Sequence, residues 1–171
     1  MKGRFPDKAR IISLFRKVRD IPYRIPVKYG EEDFCCSGKS KLLHKLLTKE
    51  GCKVRYRVCV FRWSDLNIPQ ELEGIKHDKE CTHTFLEIMI EGKWRVLDAT
   101  WDSRLKNLFH VNEWNDKSAM KIAVKPIKTF SPEKSVDVIK KYSGREAMER
   151  DLKANGKFYK AFNEWLEENR R

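Results

Sequence analysis

The chain has 171 residues, 40% hydrophobic and 36% charged, a composition that suits one domain with a real core and excludes a disordered, charge-dominated segment. Lys and Arg number 37 against 25 Asp and Glu, a net charge of +12. The basic residues are mixed with acids, and no basic stripe, zinc-finger, helix-turn-helix or phosphate-loop pattern occurs, so nothing in the pattern points to nucleic acid as a partner. No apolar run is long enough to span a bilayer, and the first ten residues lack the apolar stretch of a secretion signal. Five cysteines without regular spacing argue for a reducing, cytoplasmic setting over a disulfide scaffold.

In chain order, Pro6 precedes a helix predicted over Asp7 to Arg19, with Ile11, Ile12, Leu14, Phe15 and Val18 on its apolar side. Pro22 and Pro26 then impose an extended connection to Gly30. From Phe34 to Gly51 the sequence FCCSGKSKLLHKLLTKEG places leucines at 42, 43, 46 and 47, a helical and not a strand period. The spacing predicts a helix from Cys36 to Glu50, closed by Gly51, with Lys39, Lys41, Lys45 and Lys49 on the solvent side. Cys36, Ser40, Leu43 and Leu47 share one face, while Cys35 is turned roughly 100° away. A thiol in the first helical turn meets unpaired backbone N–H groups and the positive end of the helix dipole, both of which favour thiolate.

Lys53 to Trp63 alternates as a strand with one covered face, Cys52 and Cys59 reading as core or edge residues. Ser64 to Thr82 is polar, contains Pro69 and Gly74, and reads as a long loop bordering a site. His83–Ile90 and Lys93–Thr100 are two alternating runs joined by Glu91-Gly92, the signal of a β-hairpin. With a two-residue turn, Ile90 faces Lys93, and counting back sets Phe85 opposite Asp98 and His83 opposite Thr100. His83 and Asp98 are then diagonal neighbours on one face, roughly 7–8 Å apart or less between Cβ atoms. That face also carries Glu87, Met89, Trp94 and Val96, whose far end is expected to pack on a helix.

A thiol at a helix start and a histidine–aspartate pair on a hairpin form the inventory of covalent catalysis: nucleophile, base, and a group that orients the base. These residues resemble the transglutaminase-like superfamily of papain-like thiol enzymes. The first block of the resemblance is Cys36, Lys39, Ser40 and Leu43 with Gly51 closing the helix. The second is His83, Phe85, Glu87, Trp94 and Asp98 in HTFLEIMIEGKWRVLDAT. It covers about residues 30 to 102 and departs at position 34, where Phe stands in place of a glycine. The resemblance implies Cys36 as nucleophile, His83 as base and Asp98 as its orienting partner. It also implies acyl transfer on amide substrates, protein or peptide, through a Cys36 thioester resolved by water or an amine; a cysteine peptidase differs only in substrate. No cofactor is implied. Two readings from other classes are a silent protein-binding module with the same fold and a zinc site built from Cys35, Cys36, Cys81 and His83, whose spacing matches paired C-x-x-C knuckles poorly. The charged residues Lys76, Asp78, Lys79 and Glu80 would keep the thioester wet, which leans the outcome towards hydrolysis.

Beyond the hairpin, an irregular stretch carries Phe109, Trp114 and His110, the last read as a surface residue. Met120 to Ile127 is predicted as a strand, and Ser131-Pro132 opens a helix through Tyr142 that Gly144 ends. Asn155-Gly156 splits the remainder into helices over Arg145–Ala154 and Lys157–Asn169. The expected architecture is α+β. A helix bearing the nucleophilic cysteine packs on an antiparallel sheet of three or four strands, flanked by N- and C-terminal helices. The whole is one domain over 1–171, with a core at about 30–130 and a helical segment at about 131–171.

Overall fold

The structure, a computed structural model, describes residues 7–114 and 119–171, so the Pro6 signal lies outside the described residues. Among these, five α-helices and four antiparallel strands make an α+β fold. Helix α1 spans Lys8–Arg19, and Asp7 caps it by accepting from the Ala9 N–H at 3.1 Å. Helix α2 spans Cys36–Lys49, with Glu50 as C-cap and Gly51 beyond it at φ +84°, the left-handed turn that ends many helices. Strand β1 is Val54–Arg62, β2 is Glu80–Ile90, β3 is Lys93–Leu97 and β4 is Lys128–Thr129, and the sheet order is β3-β2-β1-β4.

The β2–β3 hairpin has the register counted from the sequence. Ile90 pairs with Lys93 and Leu86 with Leu97, across a turn whose residues Glu91 and Gly92 both have positive φ. Positive φ at both central positions is the turn that matches the right-handed twist of strands. The ladder stops at Leu86–Leu97, whereas β2 continues back to Glu80 paired only with β1.

The alternation of strand side chains separates two cores. On one face Leu86, Ile88 and Leu97 pack with Ile11, Leu14, Phe15 and Val18 of α1 and Leu43 and Leu47 of α2. Cys59, Phe61 and Phe85, which β1–β2 pairing puts on the His83 side, join Phe158, Phe162 and Leu166 in the second cluster. Those last three lie on α5, Arg145–Asn169, which follows α4, Pro132–Tyr142, after the Gly144 break. Phe15, Phe158 and Phe162 are completely buried, each such side chain contributing about 1.5–3 kcal/mol over exposure. Helix α5 also fixes the extended segment after α1, because Asn163 accepts from the Ile25 N–H (2.9 Å) and donates to the Ile25 carbonyl (2.8 Å).

Several expectations need correction. The stretch 64–82 is not a plain loop: it holds a 3-10 turn at Trp63–Leu66 and the short helix α3, Gln70–Glu73, and its last residues belong to β2. The predicted strand over 120–127 is irregular, and pairing with β1 falls instead on Lys128–Thr129. Asn155-Gly156 does not break α5. Asn155 is buried and bonds Asp78 and Asp151, contacts that hold helical backbone where the dipeptide alone favours a turn. On the His83 face the turn end carries charge as well as apolar residues: Glu87 takes Arg55 and Arg57 as ion-pair partners, and Arg55 stacks 4.0 Å over Trp94, while Val96 packs against the second cluster.

Candidate active site

Cys36 is the first residue of α2 and is buried together with Ser40, Leu43 and Leu47, the face expected from helical spacing. The N-cap residue Cys35 makes no side-chain bond to the helix, and the first-turn N–H groups lie beside the thiol. Gly38 makes the approach to this turn possible. A Cβ there would lie 1.8 Å from the Asp33 carbonyl oxygen, so only glycine lets segment 33–35 lie against the helix. Asp33 in turn accepts from the Cys35 N–H at 2.9 Å. The signal in the sequence is the glycine itself, two residues after the cysteine within the first helical turn.

His83 and Asp98 meet where β3 has ended and β2 runs on. His83 Nε2 is 2.8 Å from Asp98 Oδ2, and both side chains are almost fully buried. The carboxylate is held from three further donors: the Thr100 N–H (3.1 Å) and Oγ1 (2.6 Å) on Oδ1, and the Ala123 N–H (2.8 Å) on Oδ2. Asn112, unremarked in the sequence, braces the same turn by donating to the Asp98 carbonyl at 2.9 Å and the Lys121 carbonyl at 2.7 Å. The amino end of α2 is fastened to the stretch of β2 beyond the β3 ladder through Ser40 Oγ, which donates to the Thr84 carbonyl at 3.1 Å.

With Nε2 engaged by Asp98, the remaining ring nitrogen is the one available to the Cys36 sulfur, and the two groups shift each other's ionisation. The Cys35 thiol, hydrogen-bonded to Cys36, is the largest influence and holds Cys36 well below an ordinary thiol; burial opposes it, and the His83 hydrogen bond and charge add to it. Cys35 moves the other way, well above an ordinary thiol, through the same hydrogen bond and burial. Burial works to lower His83, but the Asp98 charge and hydrogen bond, with Cys36, hold it up at about 10. Asp98 stays below the usual carboxylate range: burial pushes it up, and His83 and Thr100 outweigh that. Both shifts favour the thiolate and imidazolium forms of the pair.

The other cysteines contrast with Cys36. Burial raises Cys59 and Cys81 to about 12 and Cys52 above its ordinary value, and Cys52 and Cys59 are core residues as expected. Among the described residues no group of His, Cys, Asp or Glu side chains is placed to hold a metal ion. His110 is exposed, and no described helix is long and apolar enough to cross a membrane.

Lys39 does not lie on the solvent side of α2 that the lysine spacing predicts. It is 1% exposed and donates to the carbonyls of Arg19 (2.7 Å), Ile21 (2.9 Å) and Thr100 (2.8 Å). Burial pulls its pKa down to about 7 against the raising charges of Asp102 and Asp98. Three carbonyls match the three donors of an ammonium.

Cys36 and His83 border a cleft of about 530 Å³, a size that takes a small ligand or a few residues of peptide. Val58 and Val60 of β1, Val138 and Ile139 of α4, and Tyr23 and Trp101 are among the residues that line it. No family model, curated protein or solved structure matches the chain, so the likeness to transglutaminase-like enzymes rests on the residues themselves.

Proposed function

We propose that this protein is a thiol-dependent acyl-transfer enzyme of transglutaminase-like type, acting on amide bonds of a protein or peptide, with Cys36, His83 and Asp98 as its triad. The observation that carries this is the buried His83–Asp98 bond at 2.8 Å beside a helix-start cysteine whose ionisation is shifted towards thiolate. In this reading the Cys36 thiolate adds to the amide carbonyl. The resulting oxyanion lies at the N–H groups of the first turn of α2, including that of Cys36. The C–N bond then breaks, His83 gives its proton to the departing amine, and a thioester remains. Water, or an amine, adds to the thioester with His83 as base, and the Cys36 thiolate leaves. Asp98 keeps the imidazole oriented and favours its charged form.

Lys76, Asp78, Lys79 and Glu80 are exposed, and Asp78 and Glu80 border the cleft, which supports water over an amine as the second reactant. A glutamine-containing peptide offered with excess labelled primary amine measures the split between deamidated and amine-linked product. Incubation with p-nitrophenyl acetate tests the chemistry itself: one acetyl group is expected on Cys36 by peptide mapping, and none in Cys36→Ala. An intact protein with a reactive Cys36 that acylates with no ester and turns over no amide is a binding module instead.

A further inference from the structure

Cys36 sits on α2 and Asp98 on the turn after β3, so their separation depends on how the helix is tied to that turn. Ser40 ties the helix to β2, but its acceptor is Thr84, on the neighbouring strand. The tie to the turn itself runs through Lys39. Its Nζ donates to the Thr100 carbonyl at 2.8 Å, and Thr100 donates to Asp98 Oδ1 through both its N–H and its hydroxyl. Asp98 holds His83, and His83 neighbours Cys36, three residues before Lys39 on the same helix. Bonds thus run from Lys39 through Thr100 and Asp98 to His83, the group whose ionisation is linked to that of Cys36.

The other two acceptors of Lys39 are the Arg19 and Ile21 carbonyls, at the C-terminal end of α1, where the helix dipole favours a cation. One buried ammonium thus joins three pieces of chain that converge behind the site. An aliphatic side chain of the same size would fill the space and leave three buried carbonyls without this donor. The charged groups acting on Lys39 are Asp102, Asp98 and Asp20, and the opposing Arg170. Asp102 is itself buried, accepting from the Tyr23 N–H at 2.9 Å and lying 3.4 Å from Arg170.

Resting on the acyl-transfer reading above, we propose that Lys39 is the positioning residue of this site. Its ammonium, in the cage of Arg19, Ile21 and Thr100 carbonyls, sets the register between the Cys36 helix and the Asp98–Thr100 turn. It touches no substrate and acts through Thr100 and Asp98. A residue that only filled the core could be replaced by one of equal volume without altering the ionisation of a thiol one helical turn away.

The test is Lys39→Met, with circular dichroism and thermal melting to establish that the variant is folded. Two measurements follow on wild type and variant: the rate of Cys36 alkylation by iodoacetamide against pH, and the acylation rate with p-nitrophenyl acetate. In folded Lys39→Met the alkylation midpoint should move up by at least about one pH unit, a tenfold loss of thiolate below the midpoint. Acylation should fall about tenfold or more, because the base is no longer held in register. Lys39→Arg, which keeps the charge and donors, should recover part of both. A folded Lys39→Met with wild-type midpoint and acylation rate overturns the proposal. If Lys39→Met does not fold, Lys39→Gln carries the test, since it keeps a polar end among the carbonyls but lacks the ammonium that joins all three. There too a shifted midpoint is expected, and an unchanged one overturns the proposal. The alkylation arm needs no acyl chemistry, so a wild-type protein that alkylates at Cys36 yet never acylates counts against the enzyme reading and leaves the positioning result standing.

Discussion

The two ends of the β2–β3 hairpin carry similar residues in different surroundings. At the turn end, Glu87 pairs with Arg55 and Arg57 at 2.7 and 2.6 Å, and Trp94 and the Arg55 side chain are about a third exposed. At the open end Asp98 pairs with His83 at 2.8 Å with both side chains at 2% exposure or less. Both are carboxylates facing a cation from a neighbouring stretch of the sheet, Glu87 towards Arg55 and Arg57 on β1 and Asp98 towards His83 on β2. At the turn end Glu87 and Arg57 are 12% and 18% exposed while Arg55 reaches water, so the charges keep part of their solvation and a second arginine remains when either is lost, which reduces what one link contributes. In the interior each charge needs its partner, and breaking one link moves the ionisation of the rest. The open end exists because β3 stops at Leu97 while β2 continues, and the gap admits the α2 terminus with Cys36.

Breaking the buried end should have the largest effect. Asp98→Asn keeps the shape but removes the charge that favours imidazolium and the oxygen that fixes the tautomer. Acylation of Cys36 by p-nitrophenyl acetate is expected to fall by about 10³–10⁴-fold. The His83 ionisation should also move down from about 10, read as a lower upper limb in the alkylation–pH profile. A variant within a few-fold of wild type would show that the carboxylate is only structural.

Much of this end was legible in the sequence. The two-residue turn gave the hairpin register, and the 3.6-residue period gave the face of Cys36, since both are local rules with few exceptions. The burial of Lys39 is not legible locally, because a lysine on a helix whose other lysines are 41, 45 and 49 is ordinarily solvated; only the three carbonyls brought by α1 and Thr100, distant in sequence, make burial favourable. Asn112 and Ala123 could not be foreseen as supports of Asp98, because irregular chain places them there. Asn155-Gly156 misled for the same reason, its helical backbone being secured by Asp78 from outside the helix.

The second prediction separates the buried pair from the remaining thiols by pH. Cys36 lies below the ordinary value, so the stability it adds is present above the unfolded thiol pKa and is lost as pH falls through its folded value. His83 is raised from 6.5 to about 10, so its contribution is complete below the unfolded value and is lost as pH rises through about 10. The thiolate–imidazolium pair is intact between the folded Cys36 value and about 10. Iodoacetamide at pH 6 should therefore label Cys36 first. Cys59 and Cys81, at about 12, have at least three pH units less thiolate character. After allowing for the lower nucleophilicity of a low-pKa thiolate, a rate advantage of about 30-fold remains. Prior labelling of Cys35 or Cys59 would remove Cys36 from the nucleophile's role.

The smallest effect is expected at the turn end, and it is the control that gives the comparison its meaning. Glu87→Gln removes one charge facing two arginines but keeps a side chain able to accept a hydrogen bond from either. Arg55 retains its stacking on Trp94 at 4.0 Å, and Arg57 retains its bond to the Phe130 carbonyl at 3.1 Å. The loss of stability should be about 1 kcal/mol or less, shrinking as salt is added, and visible as a small drop in the denaturation midpoint. Glu87 lies on the His83 face of β2 two pairs along from the site, yet Phe85, 1% exposed, fills the space between them. The alkylation midpoint of Cys36 should therefore stay where it is. A midpoint that moves in Glu87→Gln as far as in Asp98→Asn would mean that the hairpin transmits charge along its whole length, and the division between its two ends would fail.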